Sequence, residues 1–287
     1  MLAIDRLRVQ YGKQTALLVE QPIEIGAGDR VGVIGSNGAG KTTLLKAVLG
    51  LVPYQGRIRT RLCPQDIAVH MQQNNYVNTM PVKHIISAVL NTDVRTDETL
   101  RGLVDFFDFG GCMGKKFSAL SGGQKQRLTI ILVLYQDAPL TFFDEVTSGL
   151  DFETRQKLME KIREWYRGKE SALVVVSHYY DELERLADRL LILDKGRVAA
   201  FGRTEELFRR YCGRAVVTIP ANDKNRALTA HLKTISAPAH LIAFPCADEA
   251  EEARLTALLT GKNIDYRRSG TDIEILYSNV LSGGEPL

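Results

Sequence analysis

Cysteine is scarce, with four residues in 287, and tryptophan occurs once. Cys63, Cys112, Cys212 and Cys246 show neither CxxC spacing nor histidines at ligand spacing, which argues against a disulfide framework or a zinc site. Reduced, buried thiols suited to the cytosol are expected instead. An excess of one charge is also missing. Lysine plus arginine number 37 against 34 aspartate plus glutamate, a balance too even for the electrostatic footprint of a nucleic-acid binder, so no nucleic-acid partner is expected. Long apolar runs are absent too. The most apolar stretch, residues 128–135, falls far short of the ~20 residues that a membrane-spanning helix needs. The N-terminus, from Met1 to Arg6, lacks the pattern of a signal peptide, so the chain itself is expected to be soluble. Internal repeats and low-complexity tracts are missing as well. What remains, 45% hydrophobic and 25% charged residues, suits one large globular domain and a small one.

Residues 2–34 alternate apolar and polar positions (Leu2, Ile4, Leu7, Val9, then Ile23 and Ile25), which predicts short strands ending in a strand at 30–34. A glycine-rich turn follows, and residues 41–49 then predict a helix closed by Gly50, with Pro53 beyond. From 82 to 135 the period becomes helical. Ile85, Ile86, Val89 and Leu90 share one predicted face, and Phe106, Phe107 and Phe109 cluster further on, marking a helical subdomain at about 77–137. Predicted strands at 139–143 and 172–176 then alternate with helices at 152–167 and 181–186, the pattern of a parallel sheet covered by helices. Composition shifts near Gly213. Residues 215–287 alternate strand and helix on a smaller scale, with Asp248 and Glu251 as a capping-box-like start to a helix closed by Gly261.

The run Gly35, Ser36, Asn37, Gly38, Ala39, Gly40, Lys41, Thr42 matches GxxxxGK[ST] and sits between a predicted strand and a predicted helix, the context this phosphate-binding loop requires. Its glycines let the backbone curl so that N–H groups face phosphates at a helix N-terminus. Lys41 can reach the β- and γ-phosphates of ATP, and the Thr42 hydroxyl can ligate Mg²⁺; Thr43 continues the same turn. Downstream, an apolar strand delivers Asp144 and Glu145. One carboxylate can hold Mg²⁺ and the next can polarise the attacking water, so Asp144 is assigned to the metal and Glu145 to the base.

Leu120, Ser121, Gly122, Gly123 and Gln124, followed by Lys125, Gln126 and Arg127, resemble the signature motif of ABC ATPases. The resemblance covers roughly residues 1–210. It implies an α/β fold: a P-loop NTPase core with a RecA-like parallel sheet, an antiparallel β subdomain and a helical subdomain within residues 1–213. A small C-terminal α+β domain follows at 214–287. Tyr11 resembles the aromatic that stacks on adenine, though ordinary strand packing is the alternative. Gln72 is similar to the glutamine that senses Mg²⁺ and joins the two lobes, with Gln73 and Gln65 as rivals. His178 resembles the histidine that contacts the γ-phosphate. Asp151, in Ser148-Gly-Leu-Asp151, resembles a loop that crosses to a second subunit, and it also reads as a helix N-cap. Val146 replaces a common proline, and the run 130–134 replaces one containing alanine and arginine; both should alter packing more than chemistry. Residues 281–285 mimic the signature by coincidence, at the chain end.

The P-loop covers one side of a triphosphate. Ser121, Gly122 and Gly123, opening a predicted helix, offer a second anion site. The resemblance implies that this site meets the ATP of a partner chain, head to tail, so that Ser121, Gly122, Gly123, Gln124 and Asp151 act in trans. The implied partners are a second nucleotide-binding subunit, as homo- or heterodimer, and a polytopic membrane permease subunit, with the chain peripheral on the cytoplasmic face of the membrane. A groove beside Gln72 would take a short helix of that permease, and Phe106, Phe107 and Phe109 either line it or fill the subdomain core. The implied activity is ATP hydrolysis with Mg²⁺, coupled to transport. The short tail favours export over import. A soluble ABC-type ATPase that remodels or scaffolds a cytosolic complex is the alternative.

Overall fold

In this computed structural model, residues 1–71 and 76–283 are described. The first strand, β1 (Leu2–Tyr11), buries Leu2 and Ile4 and then Leu7 and Val9. Strict alternation would turn the second pair outward. A bulge prevents this: Arg6 takes a left-handed φ of 51°, and pairing skips between Asp5 and Arg8. Strands β2 (Gln14–Leu18), β3 (Ile23–Ile25) and, later, a two-sided edge strand at Tyr54–Thr60 all pair antiparallel with β1. Between them run β4 (Arg30–Gly35) and helix α1 (Lys41–Val48), and the edge strand is therefore β5.

After β6 (Ile67–His70) the chain leaves the sheet for three helices, α2 (Val82–Leu90), α3 (Glu98–Phe106) and α4 (Gly122–Leu134), with two short 3-10 turns between α3 and α4. It then re-enters with β7 (Leu140–Asp144), α5 (Phe152–Tyr166), β8 (Ala172–Val176), α6 (Tyr180–Leu186), β9 (Arg189–Asp194), β10 (Arg197–Arg203) and α7 (Thr204–Cys212). The central strands run in the order β9-β4-β8-β7-β6, all parallel. Ala172–Val176 and Leu140–Asp144 are buried along their whole length, as strands covered on both faces must be.

The helical subdomain departs from the predicted face of α2. Val82, Ile85 and Ile86 are buried, but Val89 is 53% exposed and Leu90 only half-buried, because α2 ends there with Asn91 in a left-handed conformation. Phe107 and Phe109 are fully buried in the core, which excludes them from any surface groove; Phe106 packs beside Trp165 at its margin. The thiols also divide. Cys112, Cys212 and Cys246 are buried and Cys63 is exposed, and all four are free. Burial pushes the Cys212 thiol up to about 12, so it stays protonated.

Beyond Gly213 lie β11 (Ala215–Pro220), α8 (Asp223–Thr229), β12 (Leu241–Cys246), α9 (Glu249–Gly261), β13 (Arg267–Ser269) and α10 (Ile273–Leu281), with an antiparallel sheet ordered β12-β11-β13. Asp248 caps α9 as expected, whereas Gly261 stays helical and the turn falls at Asn263, with a φ of 50°. Helix α10 does not stay with its own sheet. Ile273, Ile275 and Leu276 are fully buried in the cluster that contains Leu183, Leu207 and Phe208, and Glu184 of α6 accepts a hydrogen bond from the Ile273 N–H at 3.1 Å.

Candidate nucleotide site

Three neighbouring parallel strands, β4, β8 and β7, deliver their C-terminal ends to one cleft, where ligands bind in open α/β sheets. The loop after β4 is the P-loop. Gly40 has a φ of 102°, and a Cβ there would come within 3.0 Å of the Ala16 carbonyl; at Gly35 it would approach the Leu193 carbonyl to 2.5 Å. Glycine is thus required twice by close backbone approach. A cleft of about 580 Å³ is lined by Asn37, Gly38, Ala39, Gly40, Lys41, Thr42 and Thr43, by Ala16 of β2, and by Glu145 and His178.

Lys41 is 7% exposed, and its ammonium donates to the Gly35 carbonyl at 2.7 Å and the Ser36 carbonyl at 3.1 Å. Burial pulls its pKa below the usual lysine value, while Glu145 and Asp144 hold it up. Asp144, at the end of β7, is 2% exposed, and the Thr42 hydroxyl donates to its Oδ2 at 3.3 Å. Burial, and then repulsion from Glu145, push the Asp144 carboxyl up, opposed by Thr42, Lys41 and His178. Glu145 sits in a left-handed turn with a φ of 52°, its N–H donating to the Val176 carbonyl at 3.0 Å. Its Oε1 is 2.5 Å from His178 Nε2.

The donor set fits Mg²⁺. The Thr42 hydroxyl and the Asp144 carboxylate are hard oxygens held side by side, and Mg²⁺ takes few protein ligands, completing its shell with water and phosphate. No group of three or more His, Cys, Asp or Glu side chains that could hold a metal is found anywhere among the described residues. Gln72, expected at this metal, lies outside the described residues. The strand before it is tied to the signature helix, because His70 Nε2 lies 3.0 Å from Gln126 Oε1 of α4. Burial pushes the His70 ring down to about 4, so it is neutral at pH 7.

Tyr11 is not among the cleft residues. It stands 50% exposed at the tip of β1, on the hairpin whose other strand supplies Ala16. The signature residues are elsewhere again. Ser121 caps α4 in a reciprocal box, with the Gln124 N–H donating to its Oγ at 3.3 Å and the Ser121 N–H to Gln124 Oε1 at 3.1 Å. Gly123 packs against α5, where a Cβ would come within 2.8 Å of Thr154 Cγ2. Asp151 caps α5 by accepting from the Thr154 N–H at 3.0 Å, the N-cap that the sequence also allowed. Ser121, Gly122 and Asp151 are exposed, and none of these residues reaches the P-loop cleft of its own chain.

One residue at the P-loop had no signal in the sequence. Tyr277, on α10, stands beside the Ser36 backbone, which opposes the burial that pushes its phenol up, and its ring centroid lies 5.9 Å from that of Tyr180. Only the return of α10 to α6 brings it there.

A match to the ABC transporter domain family covers residues 21–148, from β3 past the acid pair. The Nod factor export ATP-binding protein I of Rhizobium etli is 32% identical over 240 residues, covering 78% of this chain and 75% of that protein. The chain belongs to the ABC transporter family of ATP-binding proteins. It is therefore an ATP-binding subunit and an ATPase, of a family that works with Mg²⁺–ATP. The methionine import ATP-binding protein MetN of Cupriavidus necator is 26% identical, covering 90% of this chain and 80% of its own. The family thus includes relatives named for both directions of transport. An ATP-binding subunit of an ABC transporter has the same fold, with a TM-score of 0.64 at 23% identity over 73% of this chain and 92% of that one.

Proposed function

We propose that this chain is the energy-coupling ATPase of an exporter whose membrane-spanning part is a separate polytopic permease, and that it works in a head-to-tail pair with a second nucleotide-binding subunit. The observation that carries this reading is the division of the site: Lys41, Thr42, Glu145 and His178 line one cleft, with Asp144 bonded to Thr42, while Ser121, Gly122 and Asp151 are exposed and do not line it. A second subunit would supply Ser121, Gly122, Gly123, Gln124 and Asp151 to the first subunit's ATP, and closure on two ATP molecules would be the working stroke. Residues 1–213 serve as the nucleotide-binding domain, with the helical subdomain at about 77–137, and residues 214–287 form the C-terminal domain.

Within the cleft the P-loop N–H groups from Gly35 to Thr43 wrap the phosphates, and Lys41 turns from its carbonyl partners to the β- and γ-oxygens. Thr42, Asp144 and Gln72 would hold Mg²⁺, which would supply charge neutralisation on the phosphate oxygens. Glu145 orients the attacking water and accepts its proton, while His178 keeps the Glu145 carboxylate aimed and contacts the γ-phosphate. Tyr11 stacks on adenine. Tyr11→Ala should then weaken ATP binding by about 1–3 kcal/mol, as for other base–aromatic stacks, with Tyr11→Phe unchanged. Equal affinities for all three proteins in a calorimetric titration would remove that role.

No helix among the described residues is long and apolar enough to cross a membrane, so in this reading the permease carries the load. The exposed apolar side chains Val77, ahead of α2, and Val89, near its end, at 58% and 53%, would offer the permease apolar docking contacts on the cytoplasmic side of the membrane. Relatives named as export proteins, at 30–33% identity, support the direction. The chain purified from membranes in detergent should carry a polytopic membrane protein that changes its ATPase rate, and Val89→Asp should abolish that change with ATP binding intact. In inside-out vesicles the pair should drive substrate into the lumen. A chain that fractionates wholly with cytosolic complexes, and whose turnover answers only to a soluble partner, would instead favour the remodelling ATPase.

A further inference from the structure

Glu182, in the first turn of α6, has no part in the roles above, yet it is 2% exposed. Both of its oxygens are taken by hydroxyls. Thr147 Oγ1 donates to Oε1 at 2.5 Å, and Ser177 Oγ donates to Oε2 at 2.5 Å. Thr147, itself 1% exposed, lies in the loop that runs from Glu145 to the helix cap Asp151. Ser177 precedes His178, and its Oγ also accepts from the Tyr179 N–H at 3.0 Å, which fixes the turn on either side of the histidine. The cation Arg155, four residues past Asp151 on α5, places Nε 3.8 Å from Glu182 Oε1 and stacks its guanidinium 3.8 Å from the Tyr179 ring centroid.

A buried carboxylate is expensive. An apolar side chain of similar size would avoid that desolvation cost, so buried ionic groups are weak devices for stability alone. What this one connects is two loops of the site: residues 145–151, with Glu145 at one end and Asp151 at the other, and residues 177–179, with His178 in the middle. Backbone pairing of the Glu145 N–H with the Val176 carbonyl sets the two loops side by side, and Glu182 fixes them a second time from beneath.

We infer that Glu182 is a positioning residue of the ATPase, bridging Thr147 and Ser177 so that the Glu145–His178 contact and the Asp151 cap hold one fixed relation. Resting on the head-to-tail pairing proposed above, this makes Glu182 the link between a histidine serving the chain's own ATP and a loop serving the partner's. Displacement of His178 by the γ-phosphate in one site is then felt at Asp151 in the other.

The test uses the full chain with Glu182→Ala and Glu182→Gln, reading melting temperature, kcat, KM and the Hill coefficient for ATP. Glu182→Ala should lower kcat by about 10²-fold, the scale of a small misplacement of catalytic groups, and bring the Hill coefficient to one. KM should stay within about threefold, because the phosphate ligands lie on other segments. Glu182→Gln should recover most of the loss, since its amide can accept from Thr147 and donate to Ser177. Wild-type kcat in the alanine variant, or a glutamine variant as slow as the alanine at equal melting temperature, would overturn the inference. Where Glu182→Ala fails to fold, Thr147→Val, Ser177→Ala and their double variant decide it. A shared link predicts that the double variant loses little more kcat than the worse single one, and additive losses would refute the link. The pairing is judged separately, on the wild type: a monomer in Mg²⁺–ATP with a Hill coefficient of one would end that reading, while the kcat comparison would still decide the role of Glu182.

Discussion

Replacing Glu145 by Gln should leave ATP affinity nearly unchanged and lower turnover by about 10²–10⁴-fold, the usual range for removing a positioned acid–base group. The asymmetry follows from geometry. Glu145 stands at the mouth of the cleft beside His178, whereas the groups that would hold the phosphates come from the P-loop and Lys41. Glutamine keeps the size of the side chain and a hydrogen-bond acceptor toward His178 but cannot take a proton from water. A single-turnover measurement separates the two effects. Should phosphate release in the variant proceed within about threefold of the wild type, Glu145 is not the proton acceptor and another group holds the water.

Lys41→Ala should abolish tight ATP binding. The ammonium is held in the P-loop by two backbone carbonyls, and Glu145 and Asp144 oppose the downward pull of burial on its pKa. Charge-assisted hydrogen bonds to phosphate are roughly twice as strong as neutral ones, and no other lysine or arginine lines the described cleft. Removing Lys41 also withdraws one of the three groups that oppose the upward shift of the Asp144 carboxyl, leaving Thr42 and His178. Calorimetric titration should find no binding at concentrations that saturate the wild type, and unchanged affinity would contradict the phosphate site itself.

The parts of this site legible in the sequence are those fixed by local geometry. A P-loop must follow a strand and open a helix, so Gly35 to Thr43 could be placed from spacing alone, and an apolar strand ending in two carboxylates announced Asp144 and Glu145. Long-range contacts left weaker traces. The bulge at Arg6 is written in the shift of buried positions from Leu2 and Ile4 to Leu7 and Val9, but the alternation reads as a plain strand until the pairing with β5 is seen. Val89 follows the helical period and still faces solvent, because periodicity gives a face and not what covers it. Glu182 looks like an ordinary acid favouring the start of a helix. Only the fold brings Thr147 and Ser177 to it from two other loops. Tyr277 is more remote still, since nothing in the tail signals that α10 leaves its own sheet for the P-loop.

The head-to-tail pairing is the centre of this account, and the Glu145→Gln protein tests it most directly, because ATP bound without turnover should lock the pair closed. Light scattering on the eluting peak, with and without Mg²⁺–ATP, measures the mass. The account predicts a shift from monomer to a dimer that retains two ATP per pair and is lost again when Ser121→Arg blocks the second anion site. A protein that binds ATP tightly and still elutes as a monomer would contradict it.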